Sequence, residues 1–271
     1  VAPKILVVQT AFLGDVVLTT PLFRAIKRVY PDSHLTALVT PAAAPLLEAD
    51  PHLDVLLTYD KKGGDGLGDV VLRVKGLRFD WLVSAHRSHR SGLLSLLSRI
   101  PVRVGFSDAA LSWTYNRRVD RPRAAHEVDR NLALLRGLDH EPLPSDRVLH
   151  VGYSEEEREQ VEAVLGEAGV ADGTPLAGLC PGSIWPTKRW TAEGFAAVAR
   201  SLAARGLRPV LLGGPGDVRA ARRVEEFAGI GGALVNAVGR TPLKALAAWM
   251  DRLAVLVTND SAPLHVAAAR G

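Results

Sequence analysis

Short continuous apolar runs alternate along this chain with longer stretches in which apolar residues recur at helical spacing. KILVVQ (4–9), HLTALVT (34–40), DVLLTYD (54–60), DWLVSAH (80–86) and VRVGF (102–106) have the length and composition of buried strands. Between them, residues 15–30 place Leu18, Leu22, Ile26 and Val29 at helical spacing, with Pro21 offering Thr20 as an alternative helix start, and residues 88–99 carry Leu93, Leu94, Leu96 and Leu97. The second half repeats the rhythm. LAGLCP (176–181), RPVLLGG (208–214), ALVNAVG (233–239) and LAVLVTND (253–260) read as strands, with helices near 191–205, 217–228 and 242–251. Strand, helix, strand in this order predicts parallel sheets with right-handed crossovers.

Two α/β halves follow. The change between them falls where Pro142 and Pro144 precede Ser154, whose Glu157 three residues on makes a capping-box signature at the start of a charged helix. The boundary is placed near residue 150, giving domains 1–150 and 151–271.

Composition narrows the class. Hydrophobic residues make up 47% and charged residues 23%, which excludes a disordered or collagen-like chain. No stretch approaches the ~20 apolar residues of a membrane span. The N-terminal apolar run is interrupted by Asp15 and Pro21 without a cleavage site, and Cys180 has no second cysteine to pair with, so a cytoplasmic location is expected. A net charge of +4 is too mild to point to nucleic acid. Arg87, Arg90, Arg99, Arg103, Arg117, Arg118, Arg121 and Arg123 fall in one stretch, a surface for an anionic ligand or a solvated basic face.

In open parallel sheets ligands gather beyond the carboxyl ends of the strands, so the residues just after each strand carry the candidate chemistry. After the first strand, Gly14 permits a tight turn or close approach to a ligand, and Asp15 is either a helix cap or, in its partly apolar setting, a general base with a raised pKa. CPGSIWPTKRW (180–190) joins a turn of Pro181, Gly182 and Ser183 to the cations Lys188 and Arg189, a loop able to hold a diphosphate or simply a polar loop. In LLGGPGD (211–217), Gly213 and Gly214 allow close backbone approach, and Asp217 caps a helix or accepts ribose hydroxyls. TNDSAPLHVAAARG (258–271) sets Asp260, Ser261, Ala262 and His265 at a helix start, an anion site in which the carboxylate suits sugar hydroxyls. There is no P-loop or nucleophilic triad, and His86, His89 and His126 are too scattered for zinc.

TNDSAPLHVAAA, FLGDVVLTTP and CPGSIWPTKRW together resemble glycosyltransferase family 9, the ADP-heptose:lipopolysaccharide heptosyltransferases, and are most similar to the heptosyltransferase II type. The likeness runs in order over the whole chain. It implies a GT-B fold, two Rossmann-like domains with parallel sheets facing across a cleft, the first binding acceptor and the second the nucleotide sugar. It implies inverting transfer of heptose from ADP-heptose to the inner core of lipopolysaccharide, with no cofactor and no metal. Asp15 matches the family's base, Lys188 its diphosphate-side cation, Asp217 its ribose position, and Asp260, Ser261, Ala262 and His265 its sugar-diphosphate loop. Pro181, Gly182, Ser183, Gly213 and Gly214 fall on the same donor side, and Thr10, Arg87, His89 and Arg90 on the acceptor side. The expected partner is a lipid-linked Kdo/heptose acceptor at the cytoplasmic face of the inner membrane. Peripheral contact would run through the basic face with Trp113 and Tyr115 as surface residues, and no nucleic acid is involved.

Three departures stand out. Gln9 replaces a lysine that some relatives carry six residues before the base, and Ala262 replaces a usual glycine. Family members continue past the position of Gly271 with a strand, a Gly-Pro loop and a helix, so the second domain is expected to be incomplete. Rival expectations are a family 9 transferase with another nucleotide sugar or acceptor, a non-catalytic nucleotide-binding module, and a dehydrogenase. The last is disfavoured because no GxGxxG follows KILVVQ.

Overall fold

The computed structural model describes residues 2–271, which divide into two compact units, one up to Val151 and one from Gly152 onward. The first unit runs β1 (Lys4–Val8), α1 (Leu13–Val17), α2 (Thr20–Val29), β2 (His34–Val39), β3 (Val55–Thr58), α3 (Leu67–Leu77), β4 (Trp81–Ser84), α4 (His89–Ser98), β5 (Val102–Phe106), β6 (Arg117–Val119) and α5 (Glu127–Leu132). Its strands form one parallel six-stranded sheet in the order β3-β2-β1-β4-β5-β6. β1 is central and reads Ile-Leu-Val-Val because both of its faces are covered; all four residues are buried. Its Ile5 lies in register with Leu35 on one side and Trp81 on the other. The chain builds outward from β1 to β3, then crosses back to β4, so the strand order reverses between β1 and β4. Right-handed crossovers therefore set α2 on one face and α3 and α4 on the other, where α3 packs along α4.

Four expectations for this unit change. The single helix over 15–30 is two. The Thr19 and Thr20 hydroxyls donate to the Asp15 and Val17 carbonyls, Pro21 brings no N–H, and Asn131 Nδ2 donates to the Leu18 carbonyl at 3.0 Å. Gly14 accordingly lies inside α1 rather than in a tight turn. β3 is not a buried strand but a sheet edge, with Val55 exposed. Tyr115 is not a surface residue: it is 2% exposed and its ring lies against Gly105, while Trp113 beside it is 64% exposed. β6 went unread because a three-residue strand beginning Arg-Arg has no apolar run. An ion pair fixes the end of the unit, where Arg28 of α2 grips the buried Asp146 through two bonds of 2.8 and 2.9 Å, and the Leu143 N–H donates to the same carboxylate at 2.7 Å.

The second unit runs α6 (Glu155–Glu167), β7 (Leu176–Cys180), α7 (Ala192–Ala204), β8 (Arg208–Leu211), α8 (Val218–Ala228), β9 (Val235–Asn236), α9 (Leu246–Arg252), β10 (Leu253–Thr258) and α10 (Ala262–Arg270). The parallel sheet order is β10-β7-β8-β9. The direction of building again reverses beside the first strand, here between β7 and β10. α7 packs along α8, and Phe195, Ala196, Ala199, Ala221 and Val224 from these helices meet Leu179 and Leu211 from the sheet. At the start of α6, both the N–H and the hydroxyl of Ser154 donate to Glu157, at 2.7 and 2.6 Å. Burial alone would raise the Glu157 pKa, but the Lys244 ammonium at 2.5 Å and the Ser154 donors outweigh it and hold the carboxyl down at about 2. β9 keeps only two of the residues expected from 233–239. Among the described residues no helix is long and apolar enough to cross a membrane.

Candidate active site

Each sheet reverses its strand order beside its first strand, and the crevice beyond the carboxyl ends at such a point is where an open α/β sheet receives ligands. The candidate residues collect at these two points.

In the first unit, Gln9 and Thr10 follow β1, Lys61 follows β3, and His86 and Arg87 follow β4. The Thr10 hydroxyl lies 2.9 Å from His86 Nδ1, bridging the reversal between β1 and β4, and Lys61 Nζ donates to the Thr10 carbonyl at 2.6 Å. Ser91 and Ser88 hydroxyls approach the same imidazole nitrogen at 3.2 and 3.4 Å. Burial, with the charges of Lys61 and Arg87 beside it, pushes His86 down to about 4, so the ring is neutral near pH 7. Burial and the Arg90 charge likewise lower Lys61 to about 8. Asp15 sits half-buried in the first turn of α1, where its Oδ2 accepts the Phe12 N–H at 3.1 Å. The turn that carries it is braced from below: Gln9 donates to the Thr19 hydroxyl at 3.0 Å, which donates to the Asp15 carbonyl at 2.8 Å. Arg87 is engaged by Asp108 at 2.7 Å, while His89 and Arg90 are exposed at the start of α4.

In the second unit, Asn259 is the organiser. Buried at the end of β10, its Nδ2 donates to the Pro181 carbonyl at 2.9 Å and the Gly182 carbonyl at 3.3 Å, and its Oδ1 accepts the Trp190 N–H at 2.9 Å. The loops after β7 and β10 are thereby held together. Lys188 Nζ meets Asp260 Oδ2 at 2.5 Å, and this bond, with the Lys188 and His265 charges, holds the Asp260 carboxyl below the usual range. Arg189 donates to the carbonyl of the buried Ser183 at 2.7 Å. Asp217 caps the turn before α8, accepting the Gly214 N–H at 3.0 Å. Its carboxylate lies so close to the other loops that a Cβ on Gly182 would come within 2.2 Å of Oδ1, and one on Gly213 within 2.8 Å of Oδ2. These two positions are glycine because Asp217 takes the space. Ser261 is the N-cap of α10, with Ala262, Pro263 and His265 in its first turns.

A family model described as glycosyltransferase family 9 (heptosyltransferase) matches residues 70–271. The chain belongs to glycosyltransferase family 9. It is similar to a solved glycosyl transferase family 9 structure from Veillonella parvula DSM 2008, with 32% identity, a TM-score of 0.90, and coverage of 99% of this chain and 78% of that one. The lipooligosaccharide heptosyltransferase 2 of Haemophilus ducreyi is 25% identical over 98% of this chain and 80% of its own length. The structure of E. coli ADP-heptose lps heptosyltransferase II, at 24% identity, shares the fold with a TM-score of 0.83 over 98% of this chain and 82% of that one. The family 9 chain is thus a glycosyltransferase with the GT-B type of α/β architecture.

In the first unit of this family 9 chain Thr10 is tied through His86 to the start of α4, and Asp15 lies in the α1 turn after β1; in the second, Pro181 to Lys188, Gly213 to Asp217 and Asp260 to His265 come together. Lys61, His86 and Asn259 were missed. His86 ends DWLVSAH, the place the strand-end rule marks; Asn259 stands within a quoted motif, but its side chain's structural task shows only in the fold. Lys61 directly follows DVLLTYD (54–60), so the same rule marks it, but its bond to the Thr10 carbonyl shows only in the fold.

Proposed function

We propose that this glycosyltransferase moves heptose from ADP-heptose to a lipid-linked Kdo/heptose acceptor of the inner lipopolysaccharide core, with inversion and without a metal. The observation that carries the reading is the Lys188–Asp260 pair at the strand-order reversal of the second unit, beside the N-terminal end of α10. Both side chains are about half exposed, so the pair contributes under about 1 kcal/mol and is readily exchanged for stronger partners. Lys188 would turn to the diphosphate and Asp260 to sugar hydroxyls.

In the reaction, the Asp15 carboxylate takes the proton of the acceptor hydroxyl while that oxygen bonds to the anomeric carbon. The bond from that carbon to the diphosphate oxygen breaks, and ADP leaves with the electron pair. Negative charge grows on the leaving phosphate, where Lys188 and the positive end of the α10 dipole stabilise it more in the transition state than in the ground state. Asp217 would accept the ribose hydroxyls from its place between Gly182 and Gly213. Thr10, Arg87, His89 and Arg90 would hold the acidic acceptor.

The test is mass-spectrometric detection of heptose transfer from ADP-L-glycero-D-manno-heptose to a heptosylated Kdo-lipid A acceptor, in the presence of EDTA. Transfer that persists in EDTA and disappears on Asp15→Ala is the expected result. Transfer that EDTA abolishes overturns the metal-free reading. Transfer only from another nucleotide sugar overturns the donor.

A further inference from the structure

Helix α4 is built inside out. Its inward face is Ser91, Gly92, Leu94, Ser95 and Ser98, all buried, while Leu93, Leu96 and Leu97 stand 37%, 38% and 44% exposed along one outward stripe. The small inward residues have a steric cause: a Cβ on Gly92 would meet Leu111 Cβ at 2.9 Å and the Ala110 carbonyl oxygen at 3.0 Å, so the helix lies too close to its neighbours for larger side chains. That explains the serines inside. It does not explain leucines outside, where a water-facing helix carries polar residues.

The stripe has apolar company. α3 packs along α4 and exposes Leu72 and Leu77, and the turn at 112–114 packs on α4 and carries the exposed Trp113. The charges on these elements are nearly of one sign. α3 with its cap has Arg73, Lys75 and Arg78 against Asp69, and α4 with its cap has Arg90 and Arg99 and no carboxylate. Lys75, Arg78, Arg90 and Arg99 are exposed, and none has a carboxylate ion-pair partner among the described residues.

We propose that this face docks the first unit on an anionic lipid bilayer, the leucines and Trp113 entering the headgroup boundary and the cations meeting lipid phosphates. An exposed helix face with leucines along it, an indole on the turn packed against it and cations without carboxylate partners on the same elements has the chemistry of an interfacial helix, in which long basic side chains reach to the headgroups. A second copy of the chain would bring the same cations against themselves. Charge complementarity selects the bilayer.

The experiment is co-sedimentation of the whole chain with vesicles of phosphatidylethanolamine containing about a quarter phosphatidylglycerol, and with vesicles of phosphatidylcholine alone. Neither donor nor acceptor is needed, so a failure here and a failure of heptosyl transfer are separate results. The expected outcome is salt-sensitive binding to the anionic vesicles only. L93S/L96S/L97S should weaken it at least tenfold; each leucine is more than half covered, so a lower unfolding midpoint is expected with the chain still folded at the assay temperature, and far-ultraviolet circular dichroism checks this. K75E/R99E, which leaves every apolar residue in place, should weaken it by about tenfold or more. Equal partition of the native chain and both variants, or equal binding to both vesicle types, would overturn the proposal. So would a dimer in sedimentation analysis that L93S/L96S/L97S abolishes, since the stripe would then belong to a second copy.

Discussion

Asp15 combines two tasks that are usually set against each other. Its Oδ2 caps α1 by accepting the Phe12 N–H, and the bond fixes the carboxylate's orientation at the end of β1, where the proposed chemistry needs it. Asp15→Asn separates the tasks, because an amide oxygen can still accept that N–H but the group no longer takes a proton. Turnover should fall by ~10²–10⁴-fold with the unfolding midpoint unchanged and ADP-heptose binding intact, read by product mass spectrometry and calorimetry. Full activity in Asp15→Asn would move the base elsewhere. Lys188→Ala makes the complementary case. The pair it breaks is exposed, so stability should hold, while ADP affinity and turnover both fall, turnover by ~10²-fold or more because charge on the leaving phosphate loses its cation.

The glycines of the two sheets show how elements are fitted to particular side chains. Gly105 of β5 carries the Tyr115 ring, and a Cβ there would lie 2.6 Å from ring carbons; Gly182 after β7 faces Asp217 at 2.2 Å. Gly105→Ala and Gly182→Ala should each cost about 1–3 kcal/mol, measured by denaturant unfolding, but only the second should also weaken ADP binding, because it displaces Asp217, the carboxylate proposed to hold the ribose. Neither contact is visible in the sequence, and the same limit decides what else was legible. Strands β1, β2 and β4 were readable because parallel strands covered on both faces are continuous apolar runs, and the residues after them were marked by the rule that ligands sit at carboxyl ends. Pro21 marked the start of α2 at Thr20, but the separate short α1 before it was hidden, because hydroxyls of Thr19 and Thr20 and the distant Asn131 make the break. β6 and β9 exist by pairing with β5 and β8 rather than by any pattern of their own. α4 misled in a different way, since its four leucines have the right spacing for a helix but only Leu94 faces inward, while Leu93, Leu96 and Leu97 face outward. Asp15, Lys188, Asp217 and Asp260 could be picked from motifs; Asn259's bridging and the Lys61–Thr10–His86 network arise only when separate strand ends meet.

The two units carry different acid-sensitive groups, and this predicts how the molecule loses structure as pH falls. In the first unit His86 is held at about 4 in the fold against an ordinary value of about 6.5 when unfolded. Between these values the unfolded chain binds a proton that the folded one refuses, so stability rises with pH there: it is fully present above pH ~6.5 and is lost as pH falls towards ~4. The second unit's strongest such group is Glu157, at about 2 against an unfolded value near ~4.3, so its contribution persists down to pH ~4.3 and is lost below, towards ~2. Carboxylates of the first unit that are also held low, Asp54, Glu127 and Asp146, lose their pairs only in that lower range, after His86 has titrated. Acid should therefore weaken the first unit before the second. Hydrogen exchange read by mass spectrometry across pH 7 to 4 should show protection falling first in β1 and β4, with β7 and β8 holding. His86→Gln removes the titrating group while keeping an acceptor for the Thr10 hydroxyl, and in it the first unit's stability should become nearly flat between pH ~6.5 and ~4. If the slope in that window survives the substitution, a group other than His86 sets it, and the neutral imidazole at the meeting of β1 and β4 is not what makes this unit acid-labile.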